Sequence, residues 1–167
     1  MKLAGAFLIF AFSVAVGIIL GERKKNASRE CAAFLELFRY VRGQISCFDT
    51  PTKLIWRGFE NDVLEKSGFL KALSEAEDGE IYFDAFSRAF KASSPSFSMS
   101  ADAKEIVASF GGVIGKSPSG EQLSAIDMLI SQMAEASEKA KAEADRDGKL
   151  CLTLGFAVGA AIFIMLL

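Results

Sequence analysis

The stretch whose residue types come closest to chemistry is Gly111-Gly112-Val113-Ile114-Gly115-Lys116-Ser117. A glycine-rich loop closed by Gly-Lys-Ser can wrap phosphate oxygens with backbone N–H groups and a lysine. Such a loop needs a glycine, four residues, then Gly-Lys-Ser or Gly-Lys-Thr, and the first glycine would fall on Phe110. It also needs a strand before it and a helix that begins at the lysine. Here a helical apolar stripe precedes it and Pro118 follows the serine. The competing assignment, which fits better, is a helix C-terminus capped by glycines and followed by a turn.

Other candidate chemistry is thinner. Glu75, Glu77, Asp78 and Glu80 could approach a hard cation, but they sit in one short run without the twelve-residue spacing of a calcium loop. A solvated turn is the simpler assignment. Histidine is absent, which removes the commonest general base and the commonest metal ligand. The cysteines, Cys31, Cys47 and Cys151, form no Cys-x-x-Cys pair and are odd in number. They fit free thiols in a reducing compartment better than a zinc site or a disulfide framework. A Ser–Lys dyad is open to the chain, but no spacing marks one. No residue is therefore assigned to catalysis, to a cofactor or to a metal.

The elements that would position any site begin at the ends. Residues 3–20 and 150–167 are two runs of 18 residues without a charge. At 1.5 Å per residue each spans roughly 27 Å, close to the ~30 Å hydrocarbon core of a bilayer. Both are expected to be transmembrane helices, since a helix satisfies its own backbone polar groups in lipid. A cleaved signal peptide is the alternative for the first. Against it, Ile18-Ile19-Leu20 continues the apolar run past the small residues, and the strong charges follow the run. Arg23, Lys24 and Lys25 lie just after the first span, and Lys139, Lys141, Arg146 and Lys149 lie before the second. Lys2 alone lies on the outer side. Basic residues stay cytoplasmic, so the loop is expected inside the cell, with Arg23, Lys24 and Lys25 as topogenic residues.

Between the spans, 18 basic residues face 21 acidic ones, a net charge of −3. That argues against nucleic acid, whose phosphates call for a basic face. The loop reads as helices. Apolar residues fall at helical spacing on Cys31, Phe34, Leu35, Phe38, Val41 and Ile45. Thr50-Pro51 is placed to start a second helix carrying Leu54, Ile55, Phe59, Val63 and Leu64, broken or split near Gly58 and Gly68. A third is expected over residues 80–91. A fourth follows a capping box of Asp102 and Glu105 and stops near Gly115. A last helix starts at a capping box of Ser119 and Gln122 and runs without proline to the C-terminus. Its section 134–149 is alanine-rich and charged, and is expected to be a solvated stalk with little to bury. Most of the loop's phenylalanines sit on the helical stripes, which points to a Phe-rich core rather than an aromatic binding face.

In the spans, Gly17 and Gly21 are four apart, as are Gly155 and Gly159. Such faces let helices approach closely in lipid, although glycine is common in spans without that role. The expected architecture is all-α: transmembrane helix 3–20, cytoplasmic helical bundle 21–133, stalk 134–149 and transmembrane helix 150–167, the last helix continuous with the second span.

The pattern resembles the stage III sporulation protein AB family. The residues that carry the likeness are the opening Met1-Lys2-Leu3-Ala4-Gly5, the Thr50-Pro51 turn with Leu54, and the motif residues Phe110, Gly111, Gly115 and Gln122. Leu154-Gly155-Phe156 and Gly159 in the last span complete it. The resemblance implies a cytoplasmic domain similar to that of the platform protein of type II secretion and type IV pilus systems. It further implies a non-enzymatic platform in the mother-cell membrane around the forespore, part of a secretion-like channel complex, without a cofactor. The implied partners are a secretion-type ATPase (stage III sporulation protein AA), other membrane subunits of the complex and the lipid bilayer; a homo-oligomer is compatible with it. Two rival functions stay open on the sequence: a nucleotide-dependent membrane enzyme and a pore-lining membrane subunit.

Overall fold

The computed structural model describes residues 2–48, 58–75, 82–114 and 119–166. Thr50, Pro51, Glu77, Asp78, Glu80, Gly115, Lys116, Ser117 and Pro118 lie outside them. Every regular element among the described residues is a helix. In chain order these are α1 (Lys2–Phe48), α2 (Asp62–Lys66), α3 (Phe69–Ser74), α4 (Tyr82–Ser93), a 3-10 turn at Ser94–Ser96, α5 (Ala101–Val113) and α6 (Ser119–Leu166).

The two long helices run antiparallel. Three contacts fix this: Ser13 with Gly155, Lys24 with Glu143, and Arg42 with Asp127. As the position rises along α1, its partner falls along α6 by nearly the same amount. The apolar N-terminal run and the first helix of the bundle are thus one continuous helix. Among the described residues, no helix is long and apolar enough to cross a membrane; several side chains of the two uncharged 18-residue runs lie outside that description.

The core sits over the second half of α1. Cys31, Phe34, Leu37, Phe38 and Val41 are buried there at helical spacing, against Val107 and Phe110 of α5 and Ile126, Leu129 and Met133 of α6. Phe34 meets Phe69, Phe90 and Phe97 edge-on, with ring centroids 5.2 to 6.0 Å apart. Each such pair adds about 0.5–1.5 kcal/mol beyond area burial. Phe38 lies parallel to Phe110 at 3.6 Å. Phe34, Phe38, Phe59, Phe69, Phe86, Phe90, Phe97 and Phe110 are all buried, so these phenylalanines of the loop are core.

Some local expectations hold, the break at Gly68 and the unbroken last helix among them, and others are revised. The Asn61 side chain accepts from the N–H groups of Val63 and Leu64 and so starts α2. Its amide also donates to Glu36 of α1, at 2.9 Å. Phe59, placed on a helical stripe by its spacing, lies before α2 outside any helix and is still buried. Gly68, at φ +78, breaks α2 from α3 in a conformation that favours glycine. Ser100 caps α5, accepting from the Ala103 N–H, so Asp102 lies in the first turn rather than at the cap. Segment 134–149 belongs to the unbroken α6. One alanine face of it packs inward: Ala136 and Ala140 lie against the core, and Ala144 is buried. Small side chains let α1 approach there, which a count of large apolar residues misses.

One buried carboxylate ties the short helices to the long pair. Glu30 of α1 accepts from the Ser98 and Met99 N–H groups, at 2.7 and 3.0 Å, in the link between α4 and α5. Burial raises its pKa, and the two N–H donors and the Lys104 ammonium only partly offset that. The stability this group supplies is thus full below the ordinary carboxylate pKa and is lost as pH rises through the raised one. Glu30→Ala strips two backbone donors of their acceptor and should cost about 2 kcal/mol or more. Glu30→Gln keeps an acceptor oxygen, should cost less, and should flatten the pH dependence of the unfolding midpoint just above pH ~4.3. An unchanged pH profile in Glu30→Gln would count against this assignment.

Candidate functional site

Two features of the long pair bear on function: the seam between the helix ends and a cleft beside the middle. At the seam, Gly17 and Gly159 are buried and Gly155 is half-buried. A Cβ on Gly155 would stand 2.9 Å from the Ser13 carbonyl oxygen and 3.4 Å from the Gly17 Cα. A Cβ on Gly159 would stand 2.8 Å from the Phe10 ring. The Ser13 hydroxyl donates to the Gly155 carbonyl at 2.9 Å. Phe10 meets Phe156 edge-on at 5.6 Å. Gly17, Gly155 and Gly159 are thus brought together at the α1–α6 contact. Gly21 is buried one turn further along α1.

The middle of the pair is held by charge. Lys24 contacts Glu143 at 2.7 Å and Asp147 at 3.8 Å. The hydrogen bond to Glu143 raises the Lys24 pKa, and the same contact holds the Glu143 carboxyl below its usual range. Lys25 pairs with Glu22 on its own helix. Arg23 is exposed. Of these three residues, Lys24 therefore joins α1 to α6. Further along, Arg42 grips Asp127 with two N–H donors at 2.7 and 3.1 Å, which lowers the Asp127 pKa.

Beside this pair, α1, α5 and α6 enclose an open cleft of about 1030 Å³. Leu20, Leu150 and Leu154 line the end nearer the chain termini, and Asp102, Glu105 and Glu135 line the end nearer the core. Cys31 borders it but is buried, and burial together with the Glu30 charge pushes its thiol up to about 11, which makes it a poor nucleophile. Among the described residues no three His, Cys, Asp or Glu side chains are grouped to hold a metal ion.

The motif residues resolve into packing roles. Phe110 is fully buried, and Gln122 is buried near the start of α6. Gly111 and Gly112 lie inside α5 and do not cap it. A Cβ on Gly111 would collide with the Phe86 ring, so glycine is needed there for the approach of α4 to α5. Gly115 lies outside the described residues. Sequence reasoning missed Glu30, Asn61, Ser100 and the Arg42–Asp127 pair. Asn61 and Ser100 had a readable signal, a cap residue just before a helix; the other two depend on partners remote in sequence.

An all-helical bundle joined to a long antiparallel pair with apolar ends is the class this geometry defines. The chain matches the family model of stage III sporulation protein AB over residues 2–167, and it belongs to that family. No curated protein and no solved structure is significantly similar to it.

Gly155→Leu should force the seam apart, costing about 1–3 kcal/mol as overpacking does. Gly5→Leu, where nothing lies within 4 Å of a new Cβ, should be nearly neutral. Thermal unfolding of the full chain in detergent checks this, and equal losses for the two variants would contradict the seam.

Proposed function

We propose that this chain is a non-enzymatic platform subunit of a secretion-like channel complex that joins mother cell and forespore during sporulation. It sits in the mother-cell membrane around the forespore, with the terminal helices spanning the bilayer and residues 21–149 in the cytoplasm. The bundle docks a secretion-type ATPase (stage III sporulation protein AA), and the spans dock other membrane subunits.

One observation carries the membrane part. Among the described residues, every exposed large apolar side chain except Met128 falls within residues 8–20 or 150–165. α1 and α6 already cover each other's small-residue faces there, so what remains outward is Leu8, Phe12, Ile19, Leu154, Phe156 and their neighbours. In water such a surface would be a large apolar patch that calls for a cover. Lipid supplies it on all sides at once, and the basic residues at 23–25 and 139–149 are distributed as a cytoplasmic flank requires. Family membership supports the sporulation setting. Against a nucleotide enzyme, the two glycines that begin the phosphate-loop lookalike are helical, and Gly111 serves the approach of Phe86.

The test is capture of the purified ATPase on the full chain held in detergent or in bilayer discs. The proposal predicts retention, equally by the wild type and by Lys116→Ala, with no nucleotide hydrolysis by the chain alone. Hydrolysis by the chain alone, abolished in Lys116→Ala, would overturn it in favour of an enzyme.

A further inference from the structure

We infer that copies of this chain associate side by side in one orientation, the outer face of α1 of one copy seated against the cleft of the next. The inference rests on the membrane reading above, because the bilayer is what gives two copies the same orientation and the same depth.

The argument starts from charge. The cleft carries the carboxylates Asp102, Glu105, Glu135, Glu143 and Asp147 against the cations Arg23, Lys24 and Lys139. Lys24 is committed to Glu143 and Asp147. Among the described residues no cation lies within ion-pair distance of Asp102, Glu105 or Glu135. An acidic excess therefore lines the end near the core, while Leu20, Leu150 and Leu154 make the other end apolar. The occupant must be apolar at one height and basic just above it.

The same chain presents that pattern on its opposite side. Leu20, Ala27 and Cys31 of α1 face the cleft. Ile18, Lys25 and Arg29 each precede one of them by two residues, which on a helix of 3.6 residues per turn is a rotation of about 200°. They stand on the far face and are exposed, Lys25 in a solvent-exposed pair with Glu22 of the same helix that a neighbouring carboxylate can share, and Arg29 with no ion pair among the described residues. The heights agree as well. In the α1–α6 register, Lys24 is level with Glu143, so Ile18 is level with Leu150 and Lys25 with Glu143. Arg29 is next to Glu30, which holds the link leading into Asp102 and Glu105. Two copies at one depth thus set Ile18 beside Leu150 and Leu154, and Arg29 level with Lys139, one turn from Glu135 and facing the Asp102 and Glu105 carboxylates of α5. The faces differ, so the contact is head-to-tail; repeated, it closes a ring or extends an array. Exposed charge pairs contribute little affinity each, but they fix the register, and confinement to one membrane plane raises the effective concentration.

The experiment uses two differently tagged full chains in the same membranes, one carrying Arg29→Cys and the other Glu105→Cys. Both carry Cys47→Ser and Cys151→Ser, with the buried Cys31 left in place. The expected result is a cross-link between Arg29→Cys and Glu105→Cys, lost when Lys25→Glu is added to the first chain, with no cross-link from Arg29→Cys to itself. A cross-link of Arg29→Cys only to itself means a two-fold contact and overturns the inference. So does absence of any cross-link while the chain stays in the membrane fraction. If the chain instead fractionates away from the membrane, the membrane reading fails first and this inference falls with it.

Discussion

Close approach of α1 and α6 is the constraint from which the other contacts follow. At Gly155 and Gly159 there is no room for a side chain on either glycine, and the Ser13 hydroxyl closes the gap with a bond to the facing backbone. The pair is held by different physics along its length. Backbone proximity and one hydrogen bond serve the apolar end, where lipid would offer no hydrophobic drive. Ion pairs serve the middle, through Lys24 and Glu143. Burial of Phe38, Val41, Ile126 and Met133 serves the end within the bundle.

The short helices depend on that pair for their footing. α2 begins where Asn61 can bond Glu36 of α1. The α4–α5 link is held by Glu30 of α1. Phe34 offers one ring to three phenylalanines contributed by α3, by α4 and by the residue after the 3-10 turn. Gly111 then lets Phe86 reach the α5 backbone. Displacing α1 from α6 would therefore disturb the cleft, whose walls are α1, α5 and α6, as well as the seam.

Much of this was legible in the sequence, and the limit is physical. Stripes such as Cys31, Phe34, Phe38 and Val41, or Ile126, Leu129 and Met133, announce their helices because burial on one face imposes a period of 3.6. The cap at α5 was misplaced by two residues because Asp102 and Ser100 are both good cap residues, and local chemistry does not choose between them. Phe59 was assigned to a helix because burial does not require one. Segment 134–147 is solvated over most of its surface, as its composition suggests, but its thin alanine face packs inward, since small residues are what close packing needs. Glu30 and Arg42 carried no local signal: their roles come from Ser98, Met99 and Asp127, far along the chain. The phosphate-loop resemblance dissolved for a related reason, since glycine marks a close approach to a ring as readily as one to a phosphate.

The most direct test of the paired-helix account is a distance measurement by pulsed electron resonance on spin-labelled full chain in bilayers. One label pair would sit at Ala11 and Ala157, the other at Arg39 and Met128, all exposed positions level with each other across the pair. The account predicts two short and similar distances, because one antiparallel contact runs from the termini to the bundle. A short distance at Arg39 and Met128 with a long or broad one at Ala11 and Ala157 would contradict it, leaving a bundle whose terminal helices go separate ways.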